Sequence, residues 1–227
     1  MLKALLNLFY PELCLACGNG LVEGETYICL DCKLNLPKTD FHKYSENPAD
    51  QIFWGRFPFQ RASSYLYFEK AAGVQKILHN IKYQGGKQLA KMVGYWYGSD
   101  LKSINSYQNI DFIIPVPLHK TKLKTRGYNQ SEWFAHGLSR AMNVPIQADN
   151  LVRIHKSETQ TRKTRYRRWE NVSEIFAVEH PELLNNKHIL LVDDVVTTGA
   201  TIEACAQKLL ALNCGIKISI ATIAFAS

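Results

Sequence analysis

Ile189-Leu190-Leu191-Val192-Asp193-Asp194-Val195-Val196-Thr197-Thr198-Gly199-Ala200-Thr201 is the stretch that decides how this chain folds. Four apolar residues run into two adjacent carboxylates. A Thr-Thr-Gly turn and a third threonine follow, then the helix-like segment Ile202 to Leu210. The pattern predicts a buried strand, a tight polar loop and a helix N-terminus. Such a loop presents backbone N–H groups beside the positive end of a helix dipole, an arrangement that suits a phosphate. Paired carboxylates at the C-terminal tip of the strand lie where open α/β sheets place ligands. They can accept hydrogen bonds from vicinal hydroxyls and help hold Mg²⁺, which together with a phosphate cradle points to a sugar phosphate.

An Asp pair after a strand also occurs in P-loop ATPases, but the chain contains no G-x-x-x-x-G-K-[ST]. The ordered set Asp-Asp, Thr-Thr-Gly, Thr instead resembles the ribose-5-phosphate loop of type I phosphoribosyltransferases. That resemblance implies an α/β fold with a mostly parallel sheet flanked by helices. It also implies that Asp193 and Asp194 are the catalytic pair, binding the ribose 2- and 3-hydroxyls and the Mg²⁺ shell. Val196, Thr197, Thr198, Gly199, Ala200 and Thr201 would hold the 5-phosphate.

Working outward, the rest of the chain fits an α/β organisation. Ala62–Phe68, Ile110–Val116, His188–Asp193 and Ile216–Ala224 read as strands. Ala71–Tyr83, Gln88–Leu101 and Gln130–Met142 carry apolar residues at helical spacing. Alternating strands and helices imply a parallel sheet covered on both faces. At 227 residues and 46% hydrophobic content, the chain can hold one ordinary domain plus a small appendage. No apolar run approaches the ~20 residues of a membrane span. The N-terminus is a short apolar stretch with Leu2, Leu5, Leu6 and Phe9 on one helical face. It has neither the length nor the cleavage site of an export signal, so a cytoplasmic protein is expected. The expected division is an N-terminal helix and cysteine segment over 1–36, a linker or irregular joint over 37–60, and the α/β domain over 61–227.

The net charge of +7 is unevenly placed. Residues 119–126 carry +4, residues 153–168 carry +6, and the remainder sums to −3. Two such patches imply an anionic partner, either a polyphosphate or a nucleic acid. Lys120, Lys122, Lys124 and Arg126 follow the strand ending at Val116 and read as a cationic loop that could neutralise a leaving diphosphate. Lys82 and Lys87 are weaker anion-site candidates. The segment 157–171 mixes Arg162, Arg165, Arg167 and Arg168 with Tyr166 and Trp169. It reads either as a lid excluding water from a phosphosugar, as a single-stranded nucleic-acid grip in which aromatics stack on bases, or as a solvated charged loop.

Near the N-terminus, Cys14-x2-Cys17 and Cys29-x2-Cys32 are separated by 11 residues. Each pair can form a knuckle offering two thiolates, and two knuckles close a tetrahedral Zn²⁺ site. Four thiolates leave no open position, so the role is structural or for docking a partner. Disulfides and a redox Cys-x-x-Cys are the rival readings. The lack of an export signal weighs against the first, and the doubled motif weighs against the second.

Taken together, Pro115-Val116-Pro117-Leu118-His119, then Arg126-Gly127-Tyr128-Asn129-Gln130, then Thr159-Gln160, Arg168, Asn171 and Phe176, then the Asp193–Thr201 loop, resemble the ComF family. These are bacterial competence proteins joining an N-terminal zinc-binding segment to a phosphoribosyltransferase domain. Ile81-Lys82-Tyr83-Gln84-Gly85 resembles that family's Lys-Tyr-x-Gly stretch. Lys122 and Lys124 stand where the family frequently has arginine, keeping charge but losing forked hydrogen bonding. The resemblance implies phosphoribosyl diphosphate with Mg²⁺ as ligand, transfer of phosphoribosyl to an unidentified acceptor, and a link to DNA uptake and natural transformation. A different class of function is a non-catalytic handler of single-stranded DNA that uses the phosphoribosyl site for binding or regulation. The zinc ribbon would serve either one as a docking surface for another protein of the competence machinery.

Overall fold

The computed structural model describes residues 11–68, 73–83, 85–154 and 175–226. In chain order its elements are α1 (Leu30–Leu34), α2 (Pro48–Phe53), β1 (Arg61–Tyr67), α3 (Gly73–Tyr83), α4 (Lys87–Lys102) and β2 (Phe112–Pro115). There follow α5 (Lys120–Arg126), α6 (Gln130–Met142), β3 (Leu151–Arg153), β4 (Phe176–Val178), β5 (His188–Val196), α7 (Ala200–Leu210) and β6 (Lys217–Phe225).

A four-stranded sheet runs in the order β1-β6-β5-β2, with every pairing parallel. Parallel strands need covering on both faces, and β5 shows how this sequence supplies both. Ile189 and Leu191 join one buried cluster, with Ile202, Leu209 and Phe53 of α7 and α2. Leu190 and Val192 join the other, with Val74, Leu89 and Phe134 of α3, α4 and α6. The two-residue period of the strand thus feeds two cores from one apolar run. The result is a parallel sheet flanked by helices, with a cysteine cluster in the N-terminal segment.

On the second face, α4 and α6 touch backbone to backbone. A methyl group on Gly137 would sit 2.1 Å from the Lys91 carbonyl oxygen, and one on Gly94 would sit 2.2 Å from that of Phe134. Nothing larger than glycine fits there without separating the helices.

Three segments near the site differ from what the sequence predicts. Residues 120–126, expected as a loop, form the helix α5. Its only apolar residue is Leu123, so it has no amphipathic stripe to signal it. Its ends hold it instead: His119 Nδ1 accepts from the Thr121 N–H at 3.2 Å, and Gly127, at φ 75°, donates its N–H to the Leu123 carbonyl. Strand β5 runs past the expected end at Asp193 to Val196, because β6 continues beside it with Val196 opposite Phe225.

The third is residues 37–60, read as a linker or irregular joint, which contain α2 and pack onto the sheet. Phe41 and Phe53 are fully buried. Asn47 caps α2, its Oδ1 accepting from the Ala49 and Asp50 N–H groups, while Asp50 Oδ1 accepts from the Ala62 N–H of β1 at 2.7 Å. A polar capping box is what fixes this segment, and polar residues are what made it look like a joint.

A separate antiparallel pair, β3 with β4, lies apart from the main sheet, with Arg153 opposite Phe176. Residues 155–174, which include the whole of the basic segment 157–171, and the N-terminal stretch 1–10 lie outside the described residues.

Candidate functional site

At the carboxyl ends of β2 and β5 the sheet becomes uneven. Strand β2 stops at Pro115, opposite Val192, and its chain turns away after the Val116 N–H donates to the Val192 carbonyl at 2.8 Å. Asp193 and Asp194 are therefore left without a neighbouring strand on that side. They form part of the wall of a cleft of about 200 Å³ that is also lined by Lys82, Lys122, Arg126, Gln130, Ser131, Arg153 and Thr201.

The two carboxylates are held differently. Asp193 Oδ1 accepts from the Ser131 hydroxyl at 2.8 Å and from the Asp194 N–H at 2.8 Å. Burial, with the neighbouring Asp194 carboxylate adding to it, pushes the Asp193 carboxyl up to about 7. Asp194 Oδ1 accepts from the Val195 N–H at 2.7 Å, and its Oδ2 is ion-paired with Lys82 Nζ at 3.1 Å.

Around this pair the cleft is cationic. Arg126 donates to Gln130 Oε1 at 2.9 Å and lies over the Tyr83 ring, and Arg153 lies over the Phe176 ring. Among the described residues, neither these two guanidiniums nor the Lys122 ammonium has a carboxylate partner. Four cations against two carboxylates, one of them held toward its neutral form, make a site suited to a ligand with several negative charges.

The loop after β5 closes one end. Gly199 takes φ 74° and begins α7 with no side chain to cap it. A Cβ there would meet Ile52 and Phe53 of the α2 segment at 2.6 Å, so glycine is required by both conformation and space. Thr197, Thr198, Ala200 and Thr201 are exposed, and no side chain caps the N-terminus of α7.

The family described as "Phosphoribosyl transferase domain" matches residues 129–227. The DNA utilization protein YhgH of Salmonella typhimurium is 33% identical over 208 residues, covering 90% of this chain and 87% of that protein. Competence protein ComFC of Bacillus subtilis is 27% identical over 204 residues, covering 88% and 78%. YhgH of Escherichia coli K12 is 27% identical over 215 residues, covering 88% and 91%. The chain belongs to the ComF family.

Within this ComF chain, the string Arg126 to Ser131 turns out to assemble the cleft. Arg126 and Gln130 line it, and Gly127 ends α5. The Tyr128 hydroxyl donates to the Ile81 carbonyl and so fixes the end of α3 beside Lys82. Asn129 caps α6 through the Ser131 N–H and donates its Nδ2 to the Val116 carbonyl at 3.0 Å. Ser131 then reaches Asp193. Gln130, Ser131 and Arg153 are cleft residues beyond those expected from the sequence. The sequence signal that could point to Ser131 is Asn129, an N-cap residue type directly before the helix.

The basic residues divide by helical geometry. Lys122 and Arg126, four apart on α5, share the face that lines the cleft, whereas Lys120 and Lys124 do not line it. Of the Val196–Thr201 loop, Thr201 lines the cleft itself. Lys87 stands over the Tyr128 and Trp133 rings. Arg162, Arg165, Tyr166, Arg167, Arg168 and Trp169 lie outside the described residues.

The ComF cysteines converge. The sulfurs of Cys14, Cys17, Cys29 and Cys32 all lie within 4.8 Å of one another, with Cys17 and Cys29 at 3.8 Å. Zn–S bonds of ~2.3 Å in a tetrahedron need sulfurs ~3.8 Å apart, so the donor set fits that ion. Backbone N–H groups of Cys29, Asn19 and Cys32 point at the sulfurs of Cys14, Cys17 and Cys29 respectively, 3.3–3.4 Å away. Such bonds favour thiolates: against a burial that raises it, backbone N–H groups draw Cys14 down to about 6, whereas Cys29 and Cys32, sharing the same cluster of sulfurs, are raised. The segment is docked on the main fold: Asn80 Nδ2 donates to the Leu15 carbonyl, and Lys33 lies over the Trp96 ring.

Proposed function

We propose that this ComF protein binds phosphoribosyl diphosphate with Mg²⁺ in the Asp193–Asp194 cleft and transfers the phosphoribosyl group to an acceptor in the course of DNA uptake. The observation that carries the reading is an adjacent carboxylate pair set between unneutralised cations and an uncapped helix N-terminus. In this reading Asp193 and Asp194 hold the ribose diol. Val196 to Thr201 take the 5-phosphate through the amides that open α7. Lys122 and Arg126 face the diphosphate, with Lys120 and Lys124 adding to the field from the outer side of α5.

Mg²⁺ commonly takes one or two carboxylates together with substrate phosphates. Asp194 Oδ2 and the second oxygen of Asp193, which has no hydrogen bond to a described residue, fit that donor set. The metal would offset the charge of the departing diphosphate. The protein's own groups position the sugar and neutralise what leaves. Zn²⁺ at the four cysteines completes a structural segment within 1–36 beside the transferase-like domain of 61–227, and is suited to docking a partner protein.

The relatives' names support the link to DNA utilization and competence. No helix among the described residues is long and apolar enough to cross a membrane, in keeping with a cytoplasmic site of action. The test is calorimetry with phosphoribosyl diphosphate and Mg²⁺. Saturable binding that Asp194→Asn abolishes supports the reading, and no heat from the folded wild-type protein ends it.

A second reading has its own support, the +6 charge over residues 153–168. The protein would then grip single-stranded DNA and use the cleft for regulation. Salt-dependent DNA binding that is lost on neutralising Arg165, Arg167 and Arg168, yet kept by Asp194→Asn, would favour it.

A further inference from the structure

We infer that Lys82 is a built-in stand-in for the divalent cation: it pairs with Asp194 and moves to the diphosphate when metal and ligand enter together. This rests on the metal–diphosphate reading of the cleft.

The case begins with which oxygen is available. Asp194 Oδ1 is taken by the Val195 N–H, so Oδ2 is the oxygen turned to the cleft, and Lys82 Nζ lies 3.1 Å from it. The pair is partly desolvated, with side-chain exposures of 25% for Lys82 and 16% for Asp194. An ion pair in that setting is stronger than one on the open surface.

The base of Lys82 is fixed by its helix, and its head is tethered through the Asp194 ion pair rather than through the backbone. The Tyr128 hydroxyl holds the Ile81 carbonyl, and Asn80 Nδ2 holds the Leu15 and Lys76 carbonyls, so the last turn of α3 is pinned from two sides. The four-carbon stem can still swing an ammonium across the cleft. Lys122, Arg126 and Arg153 already point positive charge at the same space without carboxylate partners among the described residues. Lys82 is the cleft cation that has such a partner.

A divalent ion on Asp194 Oδ2 would lie against the ammonium. Like charges exclude one another there unless a ligand brings oxygens for Lys82. Metal alone should therefore bind weakly, and metal with diphosphate should bind cooperatively, a coupling that must be reciprocal.

The experiment titrates Mn²⁺ into wild type and Lys82→Met, without sugar and then with inorganic pyrophosphate, following free Mn²⁺ by electron paramagnetic resonance. Circular dichroism confirms the fold, and Lys82→Gln replaces the methionine variant if that one does not fold. The expected result is Mn²⁺ binding about tenfold tighter in the variant, the scale of one partly desolvated charge pair. That gain should vanish in Lys82→Met/Asp194→Asn, and pyrophosphate should no longer strengthen Mn²⁺ binding. Equal or weaker Mn²⁺ binding in the folded variant overturns the inference, as does a failure of both proteins to bind Mn²⁺. If the wild type fails to bind phosphoribosyl diphosphate while the Mn²⁺ difference persists, the ligand assignment falls and the role of Lys82 stands.

Discussion

Arg56 Nη1 donates a 2.7 Å hydrogen bond to the carbonyl oxygen of Thr198. One residue contributes from the N-terminal packed segment, the other from the loop that closes the cleft. The same guanidinium reaches Glu203 Oε2 at 3.3 Å, so it ties the loop to the first turn of α7. Arg56→Ala should loosen the loop and weaken phosphoribosyl diphosphate binding by about 1 kcal/mol, roughly fivefold. Inorganic pyrophosphate, which has no 5-phosphate, should bind as before. Calorimetry with both ligands checks this, and equal losses for the two would show that Arg56 supports the whole fold instead.

The raised Asp193 carboxyl sets a pH dependence of stability. The folded protein holds this proton up to about pH 7, whereas the ordinary carboxylate value is 3.8. Between those values the folded state binds more protons than the unfolded state. The contribution is therefore fully present below the unfolded value and is lost as pH rises through the folded one. In metal-free buffer, wild type should lose thermal stability between about pH 4 and about pH 7 relative to Asp193→Asn. The variant should be the more stable of the two at about pH 8. Melting temperatures that track each other across this range would refute it.

Metal removal should unfold more than the cysteine knuckles. Cys14 and Ile28 are buried in the same apolar cluster as Tyr65 and Val74 of β1 and α3. A chelator strong enough to strip zinc should lower the melting temperature, and Cys14→Ser should do the same with less zinc retained by elemental analysis. Reductant alone should leave the melt unchanged. A fall with reductant and none with chelator would mean the cysteines pair as disulfides.

Much of the sheet was legible because an apolar run such as Ile189–Val192, and the apolar-rich stretch Ile218–Ile223 broken only by Ser219 and Thr222, fit burial between two layers. Helix α6 began and ended at the expected Gln130 and Met142, because Asn129 caps one end and Asn143, in the left-handed region at φ 58°, ends the other. The α5 and α2 segments were not legible. One is held by its caps without an apolar face, and the other by buried polar contacts of Asn47 and Asp50, which in sequence look like surface residues. At the site, the acid pair stood out because two carboxylates ended an apolar strand. Ser131 and Arg153 did not, since each reaches the cleft from an element that only the tertiary fold brings near. Of the lysines, helical phase on α5 separated Lys122 from its neighbours, a distinction that a run of charges cannot carry.

The run from Arg126 to Ser131 has a consequence for how this chain can vary. Its residues reach different addresses: a helix end, the close of α3, the exit of β2 and the Asp193 carboxylate. Their order is fixed by distance rather than by chemistry. Substitutions here would remove one tether at a time, but gaining or dropping a single residue would shift every later anchor out of reach at once. Length, more than composition, is what descendants of this sequence must inherit in that stretch.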